Sequence, residues 1–337
     1  MGKQAAALLL GLALGAGYAA EYPQKQLDNG QIKVTVNLPD PVKGFYRGTR
    51  FDWSGVIEDV EHQGHRYYGR WFQKTAPGVR DFVFQGAEIV AGLCTAATGP
   101  AEEFSELGYN QAKPGGTFIK IGVGALRKPD GGNYDNYHLY EIAGPGKWSV
   151  RTGADFAEFT QQLSDPASGY AYLYRKVLRL APGKPVLTME HSLKNTGRRA
   201  IQSRVYNHNF LFLDRQAPGP GVVITVPFQI RTPRPPDKRL AEVRGNQIVY
   251  IKTLQGEDLA TTPVEGFGGT AKDYDIRVEN RKTGAGVRVT ADRPMAREAL
   301  WSIRTVLAME PFIAINIAPG GEFAWKLTYE YYTAARR

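Results

Sequence analysis

Short segments that alternate apolar and polar residues recur along the chain, and this period of two is typical of half-buried β-strands. The alternation runs over residues 32–38, 187–193 and 323–331, the last with an aromatic face. Residues 274–278 and 287–289 alternate on either side of a glycine-containing turn, which predicts a β-hairpin. Residues 222–226 form a continuous apolar run, which predicts a fully buried strand.

Helical signals are few. Residues 100–107 and 292–300 are predicted to form one or two helical turns each, and the first would place Glu102 and Glu103 at a helix start. No repeat of roughly 20 to 50 residues and no low-complexity linker divides the chain. The pattern therefore predicts one large all-β domain, whose size fits a big antiparallel sandwich better than an immunoglobulin-like module.

The composition agrees with this prediction. The chain has 337 residues, of which 42% are hydrophobic and 22% charged, so wholesale disorder, collagen and coiled coil are excluded. Its 38 glycines, 21 prolines and 18 tyrosines favour many short strands joined by tight turns.

The first residues have the pattern of a secretory signal peptide. A lysine at position 3 precedes an apolar run over residues 5–16 and small residues up to position 20. We expect a signal peptide over residues 1–19 and one mature domain over residues 20–337. The apolar run is short for a bilayer span, so we expect no stable membrane anchor after cleavage, with an uncleaved anchor as the alternative. Cys94 is the only cysteine, and an exported chain without an internal disulfide suits the bacterial periplasm or secretion by a bacterium.

The charge narrows the choice of partner. The formal net charge is +9, but the basic residues are scattered apart from a group at 231–239. That group lacks interleaved aromatic residues and contains adjacent prolines, so it is predicted to be a solvated loop, and no nucleic-acid partner is expected. A moderate positive charge leaves room for an anionic ligand such as a uronate or an acidic glycan.

Three of the five histidines have structural explanations or an unremarkable pattern. His62 and His65 flank a Gln-Gly turn, which favours a hairpin tip over a metal site, and His191 lies in an alternating strand as a packed, hydrogen-bonded residue. There is no nucleotide-binding fingerprint and no Gly-x-Ser-x-Gly elbow. We expect neither a cofactor nor a metal.

Two positions stand out as candidates for chemistry. His208 lies between Asn207 and Asn209 in an otherwise apolar run, and burying such a polar cluster costs free energy unless its groups are satisfied. The cluster is either a site or a polar network that holds a strand crossing. Glu310 interrupts a second apolar run, where burial would raise the pKa of its carboxyl and suit it to general-base work. The alternative is an ion pair with an arginine.

These motifs have a familiar order. A strand ending in Asn-Thr-Gly (195–197) precedes Asn207 and His208, and Glu310-Pro311 precedes a Pro-Gly-Gly-Glu turn (319–322) and an aromatic strand. The arrangement resembles the galactose mutarotase-like superfamily, which includes the aldose 1-epimerases, over about residues 30–332. The resemblance implies a large antiparallel β-supersandwich.

The resemblance also implies roles. His208 corresponds to the general acid and Glu310 to the general base, and His138 is matched by order and spacing to a sugar-binding histidine. Arg47 and Arg50 lie where the superfamily has its first arginine motif, and Asn207 is a further candidate for sugar contact. Lys120 either pairs with Glu103 or binds an acidic group of the sugar. Three tyrosines either cover the apolar face of a sugar or belong to the core: Tyr134, Tyr137 and Tyr140.

Three functions remain open. The first is an exported aldose 1-epimerase-like enzyme that interconverts the anomers of a neutral or acidic mono- or oligosaccharide by acid–base catalysis with Glu310 and His208. The second is a carbohydrate-binding protein without catalysis. The third is a polysaccharide lyase or related carbohydrate-active enzyme, in which Arg47, Arg50 and Lys120 would neutralise a uronate. Fold alone does not separate the three.

Overall fold

A computed structural model describes residues 22–335, and the predicted signal peptide at 1–19 lies outside the described residues. The described chain is built almost entirely of β-strands, which confirms the all-β prediction. In chain order the strands are β1 (Gln24–Asp28), β2 (Lys33–Asn37), β3 (Val56–His62), β4 (His65–Arg66), β5 (Lys74–Thr75), β6 (Phe82–Gln85), β7 (Glu88–Ala91), β8 (Gly99–Phe104), β9 (Thr117–Lys120), β10 (Gly124–Arg127), β11 (Ile142–Gly144), β12 (Lys147–Thr152), β13 (Phe156–Asp165), β14 (Tyr170–Leu180), β15 (Val186–Asn195), β16 (Ile201–Phe210), β17 (Val222–Thr225), β18 (Ala241–Arg244), β19 (Gln247–Tyr250), β20 (Leu259–Pro263), β21 (Asp275–Asn280), β22 (Ala285–Ala291), β23 (Ala299–Ile303), β24 (Leu307–Met309), β25 (Phe312–Ile317) and β26 (Glu322–Thr333). Two short 3₁₀ turns cover Leu213–Arg215 and Ala271–Asp273.

The strands form one large sheet and several small ones. The large sheet has ten strands in the order β12-β13-β14-β15-β26-β22-β21-β17-β19-β18. The smaller sheets are β1-β2-β3-β4, β11-β10-β9, β25-β16-β8, β20-β23-β24 and β5-β7-β6. Within residues 22–335 the strands pair antiparallel, apart from the parallel pair β5 and β7.

The strands predicted from alternation are present. The predicted hairpin is β21 paired with β22, with Val278 opposite Val287. In β26 the residues Trp325, Leu327, Tyr329 and Tyr331 are buried while their neighbours are half-buried or exposed, as expected of a strand with one face on the core.

Both predicted helical segments are wrong. Residues 99–104 form β8, whose six residues are all buried, because this strand pairs with β16 inside the molecule. Residues 292–298 form bends and an isolated bridge before β23 begins at Ala299. Glu102 and Glu103 are therefore strand neighbours whose side chains point to opposite faces, rather than first-turn helix residues.

Two apolar clusters hold the sheets together. The larger one joins inward residues of the ten-stranded sheet, such as Tyr172, Met189 and Leu327, to residues of the smaller sheets such as Val34 and Val205. The smaller one is rich in aromatic residues, including Phe51, Trp71, Phe118 and Phe210. Phe210 is the last residue of β16, so the aromatic cluster lies beside the predicted site. Among the described residues, no helix has the length and hydropathy to cross a membrane.

Candidate functional site

His208 and Glu310, which are 102 positions apart in the sequence, are in direct contact. His208 lies in β16, and Glu310 follows β24, where its backbone N–H donates to the carbonyl of Ala299 at 2.8 Å. The Nε2 atom of His208 is 3.1 Å from the Oε1 atom of Glu310. Because Tyr206, His208 and Phe210 alternate with Asn207 and Asn209 along β16, the histidine shares a face with the two aromatic residues.

This pair lines a cavity of about 290 Å³. Three arginines, Arg50, Arg234 and Arg297, and one aspartate, Asp81, lie in its wall together with several hydroxyl and aromatic side chains. The remaining lining residues are Thr95, Tyr137, Phe210, Thr261, Thr262, Pro263, Ala299, Leu300 and Trp301. A concave site with convergent polar groups and a few aromatic walls is typical of a small-ligand pocket.

Aromatic rings fix the position of His208. Its imidazole stacks on the ring of Phe210 with centroids 3.7 Å apart, and Trp301 meets it edge-on at 5.3 Å. Trp71 in turn stacks on the ring of Phe210, with centroids 5.5 Å apart. The imidazole is thus held by ring packing, with its Nε2 atom directed at Glu310.

Burial sets the proton affinities of the pair. Burial, and then the positive charge of Arg50, hold the pKa of His208 well below its ordinary value of 6.5. Burial raises the pKa of Glu310 from 4.5 to about 7, although Arg50 opposes this rise. At neutral pH the imidazole is therefore uncharged, and the Glu310 carboxyl exchanges readily between its neutral and charged forms.

Arg50 is held beside the pair by a buried ionic network. Its Nε atom donates to Glu103 at 2.7 Å, and one of its terminal nitrogens donates to the hydroxyl of Tyr206 at 2.8 Å. Lys120, which is fully buried, donates to Glu103 at 3.2 Å and to the hydroxyl of Tyr134 at 2.9 Å. Burial raises the pKa of Glu103, but Lys120 and Arg50 outweigh it and the net shift is downward. Of the two roles predicted for Lys120, pairing with Glu103 is the one seen in the structure.

Five predicted site residues do not line the cavity: Lys120 and Glu103 of the buried network, and His138, Arg47 and Asn207. His138 is exposed and Arg47 donates to the carbonyl of Val42, both in other parts of the surface. Asn207 is buried on the opposite face of β16, where it pairs across the strands with Glu102. Of the three candidate tyrosines, Tyr137 borders the cavity, whereas Tyr134 and Tyr140 stack on each other at 5.6 Å.

Several lining residues had no signal in the sequence. Arg234 belongs to the basic group predicted to be a solvated loop, and it is exposed, yet it borders the cavity. Arg297 lies in a segment predicted to be helical. Asp81, whose Oδ1 accepts a hydrogen bond from the hydroxyl of Thr95 at 2.8 Å, lies in an unremarkable stretch. Charged residues are too common for any of these three to be selected by type alone.

A second ionic cluster lies behind β16, within the core. Glu102 forms ion pairs with His191, whose Nε2 atom is 2.6 Å away, and with Lys176, and Asp52 is 3.8 Å from the same lysine. All four side chains are almost fully buried, and Trp325 stacks on the His191 ring at 4.4 Å. His191 is a packed, buried histidine as predicted, but its close polar contact is the ion pair with Glu102 rather than a hydrogen bond.

His62 and His65 are paired residues at a hairpin tip, as predicted. They face each other across β3 and β4, and Gln63 and Gly64 between them have φ of 48° and 82°. Their side chains turn apart: His62 contacts the carbonyl of Gln31 and His65 contacts Asp214. Between residues 22 and 335 no group of three or more His, Cys, Asp or Glu side chains is arranged to hold a metal ion.

Comparison with known proteins identifies the fold. No family model matches the chain, and no curated protein matches it in sequence. Solved structures do match. A galactose mutarotase related enzyme from Lactobacillus acidophilus is 12% identical with a TM-score of 0.52, over 93% of this chain and 98% of that one. A galactose mutarotase-like protein from Lactobacillus casei is 11% identical with a TM-score of 0.52, over 92% and 100%. An aldose epimerase homologue from C. elegans is 11% identical with a TM-score of 0.51, over 93% and 99%. The chain therefore has the galactose mutarotase-like fold, as its motifs predicted.

Proposed function

We propose that this chain of galactose mutarotase-like fold interconverts the anomers of a sugar by acid–base catalysis with Glu310 and His208. The observation that supports this most directly is the contact between the two side chains inside a cavity of small-ligand size. Neither side chain is occupied by a structural ion pair elsewhere: within residues 22–335, the ionic partner of each at close range is the other.

Anomer exchange needs one proton taken and one given. The Glu310 carboxylate takes the proton of the anomeric hydroxyl as the C1–O5 bond breaks, and the N–H of the uncharged His208 imidazole donates a hydrogen bond to the ring oxygen, which leaves as an alkoxide. The Glu310 carboxyl then passes the proton to that oxygen. The C1–C2 bond rotates, and the same steps in reverse close the ring on the other face. Because Nε2 and Oε1 are 3.1 Å apart, the sugar must replace their mutual contact with contacts to its hydroxyl and ring oxygen.

The other lining residues suit a sugar. Trp301 supplies an aromatic face for the apolar side of a pyranose, and Asp81 and Thr261 supply acceptors and donors for hydroxyl groups. Arg50 stabilises the negative charge that develops on oxygen during ring opening, since its guanidinium is fixed by Glu103 before the sugar arrives.

The sugar that fits this cavity best carries a negative charge, as a uronate does. Arg234 and Arg297 border the cavity, and in the described part of the chain neither has a carboxylate within ion-pair distance. Guanidinium groups left unpaired at a pocket are suited to a carboxylate or phosphate of the ligand. Asp81 and Glu310 offset part of this positive charge, so the arginines favour one anionic group rather than a polyanion.

The two alternatives have less support. A binding protein without catalysis has no need of a carboxyl whose pKa lies at about 7 in contact with an uncharged histidine. The lyase hypothesis placed Arg47, Arg50 and Lys120 against a uronate. Arg50 lines the cavity, but Arg47 lies outside it and Lys120 is buried against Glu103. A lyase would produce an unsaturated product that absorbs in the near ultraviolet, which distinguishes it from an epimerase.

Export to the periplasm or the medium is part of this proposal, on the strength of the signal-peptide pattern at residues 1–19. Mass spectrometry of the protein recovered from a bacterial periplasmic fraction tests it. A mature N-terminus near residue 20 is expected, and a full-length chain in the cytoplasmic fraction would contradict export.

The activity is tested by exchange NMR at anomeric equilibrium. Addition of the protein to glucose, galactose, glucuronate or galacturonate should broaden and exchange the H1 signals of the two anomers. If none of these sugars exchanges faster with folded protein than without it, the epimerase proposal fails.

A further inference from the structure

A second cavity of about 440 Å³ adjoins the catalytic one. Tyr137 borders both, and its ring contacts the guanidinium of Arg50 at 4.9 Å and that of Arg80 at 4.4 Å. Arg80 lines the second cavity and forms a two-point hydrogen-bonded pair with Asp135. Tyr137 is thus a wall that the two cavities share.

A third cavity of about 530 Å³ continues from the second. Leu93 and Leu139 border both of them. Leu139 is 46% exposed, which is unusual for a large apolar side chain and leaves its surface open to a ligand. Phe45, Phe72 and Arg47 line the far part of the third cavity.

The walls of these two cavities mix apolar and hydrogen-bonding groups. Leu139 and Phe45 present apolar surface, while Arg80, Asp135 and His138 present donors and acceptors. This mixture suits sugar rings, which have apolar faces and polar edges. The second and third cavities are also lined by His138 and Arg47, two of the predicted sugar-binding residues that do not line the catalytic cavity.

We infer that the three cavities form one cleft for an oligosaccharide, with the reducing-end sugar at Glu310 and the following sugars beyond Tyr137 and along Leu139. The inference rests on the proposed function for the placement of the reducing end. At about 290 Å³ the catalytic cavity lies at the lower limit of ordinary ligand pockets, so it holds one small unit. The adjoining cavities supply room and contacts for further units. Each added sugar that contacts the walls should improve kcat/KM.

The first experiment compares anomerisation of monosaccharides and trisaccharides. The probes are glucose with maltotriose and cellotriose, and galacturonate with trigalacturonate. We expect kcat/KM to be about tenfold higher for at least one trisaccharide than for its monomer, which corresponds to about 1.4 kcal/mol of added binding. The inference is overturned if every trisaccharide reacts no faster than its monomer.

Two variants test whether Leu139 contributes to the higher kcat/KM expected for the trisaccharide. Leu139→Ser should lower the ratio of trisaccharide to monosaccharide kcat/KM towards one. Leu173→Ser is the matched control, since Leu173 is 39% exposed on β14 and does not line the three cavities. It should preserve the ratio, and an equal loss of the ratio in both variants would contradict the assignment.

Calorimetry separates this inference from the proposed function. The Glu310→Gln variant is titrated with each monosaccharide and trisaccharide, so binding is measured without turnover. Tighter trisaccharide binding without anomerisation by the wild-type protein would support the cleft and refute the epimerase. Anomerisation together with equal affinity for monomer and trimer would support the epimerase and refute the cleft.

Discussion

The Nε2 atom of His208 lies 3.1 Å from the Oε1 atom of Glu310, and within this pair the carboxyl binds its proton more tightly than the imidazole. In water the order is the reverse, with ordinary pKa values of 4.5 for glutamate and 6.5 for histidine. Burial causes the inversion, because it disfavours the charged form of each group. The proton of the pair therefore resides on Glu310 below neutral pH, and the carboxylate becomes available as a base near neutrality.

The activity should consequently rise with pH. Glu310 acts as a base only when deprotonated, and its pKa is about 7. We expect kcat/KM for anomerisation to increase about tenfold per pH unit below pH 6 and to level off above pH 8. A pH series with a single sugar checks this, and a rate that falls as the pH passes through 7 would contradict the assignment of Glu310 as base.

Glu310 should lower the stability of the protein at alkaline pH. Its pKa is about 7 in the folded state and near 4.5 when unfolded, so the folded state binds the proton more tightly. The stabilisation from this proton is complete below pH 4.5 and is lost as the pH rises through 7. Glu310→Gln carries no titrating proton at this position, so its stability does not fall in this way. Relative to the wild type, the free energy of unfolding of the variant should rise by up to about 3 kcal/mol as the pH increases from 4 to 8. Denaturant unfolding at both pH values measures this. A stability difference between variant and wild type that is the same at pH 4 and pH 8 would contradict the account.

The network around Arg50 should be essential for stability. Glu103 is the shared carboxylate of Arg50 and Lys120, and all three side chains are buried. Glu103→Gln leaves two buried cations without their anion, and we expect a loss of about 3–5 kcal/mol in the free energy of unfolding.

The matched control for this change is Glu88→Gln, which breaks an exposed ion pair with Lys74. It should cost less than about 1 kcal/mol because solvent screens the pair. Chemical denaturation of both variants makes the comparison, and similar losses in the two would show that the buried network is no more important than a surface pair.

The preference for an acidic sugar should depend on Arg297. We expect Arg297→Gln to lower kcat/KM for galacturonate or glucuronate about tenfold relative to the neutral sugar of the same configuration. Arg204→Gln is the control, since Arg204 is an exposed arginine on β16 that does not line the cavity. If the ratio of kcat/KM for the acidic sugar to kcat/KM for the neutral sugar is the same in the wild type and in Arg297→Gln, Arg297 does not recognise the carboxylate.

Much of the fold could be predicted from the sequence because a strand with one buried face must alternate. The period-two pattern located β2, β15, β22 and β26, and the Asn-Thr-Gly and Asn-His motifs indicated the superfamily. The segment at residues 99–104 was mispredicted because β8 is buried on both faces. Such a strand does not alternate, and paired glutamates in it resemble the first turn of a helix.

The candidate site was predicted in part. His208 and Glu310 were selected because polar groups within apolar runs are costly to bury, and the structure brings them together. Arg234, Arg297 and Asp81 reach the cavity from segments far apart in the chain, so only the tertiary structure identifies them. Asn207 was selected for its place beside His208, but strand neighbours point to opposite faces, which puts it behind the cavity.

The most direct test of the central claim is the optical rotation of freshly dissolved α-glucose, α-galactose and α-galacturonate after addition of protein. Wild-type protein and the surface control Glu330→Gln should bring at least one of these sugars to anomeric equilibrium faster than buffer does. Glu310→Gln should lose at least about a hundredfold of this acceleration while it remains folded. Equal acceleration by the wild type and Glu310→Gln would contradict the role of Glu310, and no acceleration by folded wild-type protein would contradict the proposed activity itself.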